Sequence, residues 1–410
     1  MSDLGVHAPI KRLSQPEFVA LMAMLFATIA FSIDAMLPAL TAIGLEITPD
    51  APNRAQLIIT SFVLGMGVGT LFTGPLSDTL GRKPVVLGGA ALYILGAGLA
   101  WSAQSLETVL LARLLQGLGA AGPRVVAIAI IRDLYEGRKM AKLISIVMLI
   151  FTLVPAFAPT LGAGIIWLTG WRGIFAAFII FSMIGATWLA IRQPETLPVS
   201  RRRPFKLATL IAGVKEIFSH RVVTLAIVTQ SLCFGALFAN LSTIQPIFAT
   251  RFDQGQYFHL WFGLIAILAG SASILNAVLV ERFGMRFLIT FVLGGQIIST
   301  SIALVLFNGG FVPEVAMLPI YIIWTTGVFF MAGMTLGNLN ALAMEPMGHL
   351  AGLAASVTGS VSTIIAVVIA VPVGLMFEGT PNPLMWSTLV LVIAAFAVMQ
   401  ILKRASVENP

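Results

Sequence analysis

Residues 74–84 read Gly74-Pro75-Leu76-Ser77-Asp78-Thr79-Leu80-Gly81-Arg82-Lys83-Pro84, a charged turn between two apolar runs, 55–76 and 85–104. Each run is about the 20 residues that a helix needs to cross a bilayer. The stretch therefore reads as the joint of a helical hairpin in a membrane. Gly74, Pro75 and Gly81 make a tight connection, and Asp78 ends the first helix, where an acid can meet a base or a helix N-terminus. Arg82 and Lys83 complete a charge cluster that can latch one face of the protein shut and release it on opening. An ordinary basic loop would need only the cations.

The same alternation of apolar run and short polar joint covers the rest of the chain. Of 410 residues, 58% are hydrophobic and 10% charged, against about 25% charged in a soluble domain. The runs predict twelve spans: 18–38, 55–76, 85–104, 108–130, 143–166, 172–191, 222–248, 258–280, 287–307, 315–342, 350–373 and 385–402. Alternating ten-residue segments, the mark of a membrane barrel, do not occur. The expected fold is all-α. The first run follows Lys11 and Arg12 as a signal peptide would, but it spans about 20 residues, contains Asp34 and precedes many similar runs, so it is read as a retained helix.

Charge placement gives an orientation. With the N-terminus in the cytoplasm, nineteen of the 24 Lys and Arg residues fall on inner segments and three, Arg54, Arg172 and Arg251, on outer ones. That is the positive-inside bias. It accounts for a net charge of +7 without a nucleic-acid partner. The single cysteine, Cys233, allows no intramolecular disulfide or cysteine metal site, and none of the four histidines lies mid-span. No cofactor is expected.

The longest polar stretch, 192–221, holds Arg201-Arg202-Arg203 and a segment 205–219 that can form an amphipathic helix, although a solvated linker is the favoured reading. It divides the chain into 1–191, a cytoplasmic linker 192–221, and 222–410. The halves echo each other: Asp78, Gly81 and Lys83 have counterparts in Glu281, Gly284 and Arg286. Such repeats commonly build transporters that rock about a midplane site.

Residues 74–83 resemble the signature loop between helices 2 and 3 of the major facilitator superfamily. Leu111-Ala112-Arg113-Leu114-Leu115-Gln116-Gly117-Leu118-Gly119-Ala120-Ala121 is similar to the helix 4 motif of its proton-coupled members. Residues 155–164, Pro155-Ala156-Phe157-Ala158-Pro159-Thr160-Leu161-Gly162-Ala163-Gly164, resemble the helix 5 antiporter motif, with Ala158 and Ala163 in place of glycines. Asp34-Ala35-Met36-Leu37-Pro38-Ala39-Leu40 matches the helix 1 motif of twelve-helix drug:proton antiporters. Residues 132–135 and 343–352 look like the bicyclomycin- and chloramphenicol-resistance-like subfamily. The likeness covers nearly the whole chain. It implies two pseudo-symmetric six-helix bundles in a bacterial inner membrane, both termini cytoplasmic, acting as a monomer on a small molecule and protons.

Asp34 is the one acidic residue well inside a span, where a charge costs at least about 2.5–3.5 kcal/mol. Burial favours the neutral carboxyl, so such a group can load a proton. Solvation near the outer surface is the competing reading, since Pro38 follows closely. Arg113 is the expected counter-charge at similar depth, and the resemblance implies a part for it in proton coupling; a fixed structural ion pair is the plainer alternative. Arg124, nearer the inner end, is read as snorkelling or pairing with Asp133, with a substrate role the less favoured reading. Pro155, Pro159, Gly162 and Gly164 bend and pack span 5; the resemblance implies a seal against leakage. Gly65 and Gly69 read as packing. The resemblance implies that spans 7 and 10 face the cavity, with Asn240, Gln245, Asn338 and Asn340 as polar substrate contacts; Phe31 of span 1 and Phe234, Phe238, Trp324, Phe330 and Met331 can add an adaptable apolar wall, packing or lipid being the plainer reading for each aromatic.

The function expected is drug:proton antiport by alternating access. Export of one native metabolite, such as a siderophore or amino-acid derivative, is the alternative, and an uptake symporter a further one. A membrane enzyme or sensor finds no nucleotide loop, metal cluster or nucleophile triad to support it.

Overall fold

A backbone in hydrocarbon must satisfy its own hydrogen bonds, and the apolar runs do this as helices. The computed structural model describes residues 13–310 and 312–405; Lys11 and Arg12 lie outside them. In chain order the helices are α1 (Gln15–Asp34), α2 (Leu40–Ile47), α3 (Leu57–Leu80), α4 (Arg82–Ser102), α5 (Leu106–Leu134), α6 (Gly137–Thr169), α7 (Gly173–Arg192), α8 (Leu207–Ser219), α9 (Arg221–Thr250), α10 (Phe258–Phe283), α11 (Met285–Asn308), α12 (Glu314–Met344), α13 (Ala351–Leu375) and α14 (Asn382–Ala405). Together α1 and α2 make one crossing and α8 makes none, which leaves the twelve spans of a multi-pass membrane protein.

The first span differs from its predicted limits. It does not end at Pro38 but continues to Ile47 after a break. Pro38 sits in the first turn of a short 3₁₀ segment, Leu37–Ala39, where a missing N–H costs nothing. The proline therefore restarts the span, and Asp34 falls at the break inside it. Between α12 and α13 the chain turns through Glu345–Leu350, so the two helices are separate crossings.

In the first half, α3, α4 and α5 pack backbone to backbone. A β-carbon on Gly65 would lie 2.0 Å from the Leu114 carbonyl oxygen, and one on Gly117 2.0 Å from that of Phe62. Gly69 meets Leu118 in the same way, at 2.8 Å. With no hydrophobic force between helices in lipid, such close approach supplies the packing. The packing role read for Gly65 and Gly69 is their role here.

Twelve crossings bring the start of α1 and the end of α14 to one face, here called the terminal side. The halves meet on the opposite, far side: Thr41 Oγ1 donates to Gln245 Oε1 at 2.9 Å, and Asn53 Nδ2 to the Leu375 carbonyl at 3.2 Å. Midway, Ser360 Oγ donates to the Gly67 carbonyl at 2.7 Å. Helices α6 and α10 touch through Gly263 and the Ala156 carbonyl. On the terminal side no hydrogen bond or ion pair joins α5 to α12 among the described residues.

The linker is not simply a solvated tether. The segment predicted over 205–219 forms α8, with Leu210 and Ile217 buried. Gly213 faces Leu353 of α13, so α8 docks on the second half. Leu207, Ile211 and Phe218 remain exposed. The docked face buries apolar area that a free linker would leave in water.

Gly65→Val should lower the melting temperature in detergent by several degrees, because overpacking costs about 1–3 kcal/mol. Gly88→Ala, where a β-carbon meets nothing within 4 Å, should leave it within a degree or two of wild type. Equal melting of the two variants would contradict the glycine contact.

Candidate functional site

Asp34 is the last residue of α1 and is 5% exposed. Among the described residues no hydrogen bond or ion pair reaches its carboxylate. The break beside it rearranges the backbone. In a regular helix the Met36 N–H would bond the Ser32 carbonyl; here it bonds Ile33 instead, at 3.3 Å. The Ser32 carbonyl is left over, and Arg113 Nη2 donates to it at 3.0 Å.

Arg113 is fully buried. Its Nη1 donates to Gln116 Oε1 at 2.7 Å and its Nε to the Ile58 carbonyl at 3.3 Å. Its guanidinium carbon lies 4.3 Å from the centre of the Phe62 ring. A buried cation is costly unless satisfied, and here neutral acceptors and an aromatic face satisfy it. The expected Asp34–Arg113 ion pair is therefore not formed. The match in depth does hold, since Arg113 reaches α1 two residues before Asp34. Ser32 Oγ lies 2.5 Å from Tyr93 Oη, which brings α4 into the same network.

Opposite the break stands Gly162 of α6. A β-carbon there would sit 2.2 Å from the Ala35 carbonyl oxygen. Only glycine lets α6 close on the interrupted backbone. Gly164 meets nothing within 4 Å, so of the two predicted glycines only Gly162 touches the break. Pro155 and Pro159 lie inside α6.

The signature loop forms a second cluster on the terminal side. Arg82 donates from Nη1 to Asp78 Oδ1 at 2.5 Å and to Ser77 Oγ at 2.8 Å, and from Nε to Asp133 Oδ2 at 2.9 Å. Thr196 Oγ1 also bonds Asp133 Oδ2, at 2.8 Å. Asp133 is thus held by Arg82; of the two readings of Arg124, nine residues earlier on α5, the pairing with Asp133 is not formed, and Arg124 has no ion pair among the described residues. Gly81 has φ +105°, a conformation glycine tolerates best, and turns the chain into α4. The linker residue Glu195 then caps α4: its carboxylate accepts from the backbone N–H of Arg82 and of Lys83, each at 3.0 Å. Lys83 Nζ bonds the Ala190 carbonyl at the end of α7, at 2.6 Å.

The predicted substrate wall is dispersed. Phe31 packs on Phe178 and Phe181 of α7, with ring centres 5.4 and 5.1 Å away. Trp324 Nε1 donates to Thr300 of α11 at 3.1 Å, and Asn338 Nδ2 to Asn276 of α10 at 2.6 Å. Phe330 packs with Met334 and Leu288, and Met331 is buried. Phe31, Trp324, Asn338 and Phe330 are turned into their own half-bundles. Gln245 bridges the halves through Thr41. Phe234 and Phe238 stack on each other at 5.4 Å. Asn240 is fully buried with neither amide atom hydrogen-bonded, and the Asn340 amide oxygen is also unbonded.

The features that place the chain in its family are now visible together: twelve spans in two halves, a charged α3–α4 turn, and a broken first helix. The family model "Major Facilitator Superfamily" matches residues 19–371. The chain belongs to the major facilitator superfamily. It is 28% identical over 379 residues to a bicyclomycin resistance protein homolog of Haemophilus influenzae, covering 90% of this chain and 92% of that one. A chloramphenicol resistance protein of Pseudomonas aeruginosa is 40% identical over 166 residues, 40% of this chain and 39% of the other. These relatives agree with the subfamily resemblance of the sequence motifs. Among solved structures, the superfamily fold is matched by a D-xylose-proton symporter, with a TM-score of 0.71 and 16% identity over 93% of this chain and 97% of that one.

Sequence reasoning missed Glu195, Tyr93 and Ser32. Glu195 carried one signal, an acid between Pro194 and Pro198 directly after a span. Tyr93 and Ser32 carried none beyond a polar atom in an apolar run.

Glu195→Ala should cost about 0.5–2 kcal/mol, the range for losing a helix cap. Thermal unfolding in detergent should show the drop, and Glu195→Gln should recover part of it. Unchanged melting for Glu195→Ala would remove the cap from the list of stabilising contacts.

Proposed function

We propose that this superfamily member is a proton-coupled exporter of small amphipathic organic molecules, working by alternating access. The observation that carries the proposal is Asp34: a buried carboxyl at a helix break, unpaired, at the depth of a buried arginine whose own bonds go to neutral acceptors. A structural ion pair would have used both charges. Asp34 is the proton carrier, and Arg113 is a fixed positive charge that stabilises its ionised form when the proton leaves.

The basic bias supports a cytoplasmic terminal side, and the far-side bonds between the halves, with no hydrogen bond or ion pair between α5 and α12 among the described residues, support an inward-open state. Substrate enters there while the far side is held by Thr41–Gln245 and Asn53–Leu375. The moving units are 1–191 and 222–410, with 192–221 as the cytoplasmic linker. The break at Asp34 and its contact with Gly162 are the hinge at which a small rotation changes the surroundings of the carboxyl. Phe234, Phe238, Asn240, Gln245 and Asn340 remain the substrate-contact candidates on the second half, and Asp78, Arg82 and Lys83 the terminal-side gate. The names of the relatives, resistance proteins for bicyclomycin and chloramphenicol, favour drugs as cargo and export as direction. The subfamily resemblance supports a bacterial inner membrane as its location.

Proteoliposomes with an imposed pH gradient and a drug panel test this. Wild type should move at least one compound uphill against the proton flow. Asp34→Asn should lose that coupled flux by about five- to 150-fold, the usual span of a coupling free energy, and keep downhill exchange. Coupled export at the wild-type rate in Asp34→Asn would remove the carboxyl from the mechanism.

A further inference from the structure

Helix α5 has three faces already occupied. Leu111 points outward and is 68% exposed. Gly117, Leu114 and Leu118 meet α3, and Gly119, Gly122 and Gln116 meet α4. The remaining face points into the first half and carries Arg113, Ala120, Arg124, Ala127 and Ile131. Eleven residues separate the two arginines, three turns that return to within about 20° of the same direction. Arg113, Ala120, Ala127 and Ile131 are all buried, yet Arg124 in their midst is exposed.

Position sharpens the anomaly. Arg124 lies ten residues before the end of α5 at Leu134, about 15 Å along the axis at 1.5 Å per residue. At that depth an arginine facing hydrocarbon is expensive, but this face turns away from the outward-pointing Leu111. We infer that its exposure is to space between the halves on the terminal side, since the face is turned from Leu111 and no hydrogen bond or ion pair joins α5 to α12 there among the described residues. Nothing neutralises it: Asp133 and Asp78 are held by Arg82, Glu195 caps α4, and no ion pair or hydrogen bond of Arg124 occurs among the described residues. A pore wall with one unpaired guanidinium offers a planar donor fork that matches a carboxylate in bidentate geometry.

We propose that Arg124 is a specificity-determining residue of the vestibule, binding the carboxylate of amphipathic organic anions and setting their preference over uncharged congeners. The proposal rests on the exporter reading for its cargo, but the binding event does not depend on proton coupling. Arg113 is excluded from this role because it is fully buried and each of its three nitrogens already bonds Ile58, Gln116 or Ser32.

The test uses a matched pair, chloramphenicol hemisuccinate and its methyl ester, with full-length wild type, Arg124→Gln and Arg124→Lys. Equilibrium binding in detergent and uptake into proteoliposomes are measured for both compounds. Losing a charged hydrogen-bonded contact should raise the ratio of the acid's Kd to the ester's by about tenfold in Arg124→Gln, with Arg124→Lys recovering part of it. A ratio equal to wild type overturns the proposal, as does a parallel loss of both compounds. If wild type binds the acid selectively but moves neither compound uphill, the exporter reading fails and the recognition role stands. A second measurement needs no substrate choice. Arg124→Cys, in a Cys233→Ser background, should react with a membrane-impermeant thiol reagent from the terminal side, and the hemisuccinate should slow that reaction more than the ester does. Absence of labelling in folded protein would show that Arg124 does not line the vestibule.

Discussion

The carbonyl of Ser32 is the small fact on which the site turns. A membrane helix cannot break without freeing a backbone acceptor, and a freed acceptor in low dielectric must find a donor. Here the donor is Arg113. Its guanidinium closes the gap left when Met36 bonds Ile33 instead of Ser32, so the break and the buried cation solve each other's problem. Gly162 lets α6 pack against the same interruption from the other side. Asp34 then occupies a position that is structurally permitted but electrostatically open, because the nearest cation is bound to neutral partners.

The terminal-side cluster is built on a different principle. Arg82 gathers Asp78 from its own turn and Asp133 from α5, while Glu195 caps α4 from the linker. Charge-assisted bonds of this kind are strong and directional. The linker is tied at both ends: Arg203 N–H bonds the Asp78 carbonyl, and α8 docks on α13. The linker thus contacts both halves, at the α3–α4 turn and at α13.

Much of this was readable from the chain. Twelve apolar runs and the basic bias need only composition and period, which is why the span count and the family follow from sequence. The loop 74–84 was legible because glycine, proline and charge have positional meaning in a membrane hairpin. The break after Asp34 was not, since Pro38 signals a helix end as well as a restart, and only packing with α6 decides between them. The side-chain directions of Phe31, Trp324 and Asn338 were hidden for a related reason. In an apolar span every face is hydrophobic, so periodicity does not tell lipid, neighbour and cavity apart. Glu195 was hidden because a cap delivered from more than a hundred residues away has no local spacing.

Proton coupling asks for a carboxyl that is neither permanently paired nor freely solvated. A fixed Asp34–Arg113 bond would hold the acid ionised in every conformation and decouple it from the cycle. An Asp34 with no cation nearby would have no reason to release its proton inside the protein. The geometry lies between these limits: Arg113 is anchored to α1 through the Ser32 carbonyl, two residues before Asp34, and its bonds go to neutral acceptors. Any motion that straightens the break would return the Ser32 carbonyl to Met36 and free one guanidinium arm. On the proposed reading, helix geometry and the charge state of Asp34 would be linked through that single donor, so that a small rotation would be converted into the loss or gain of a proton.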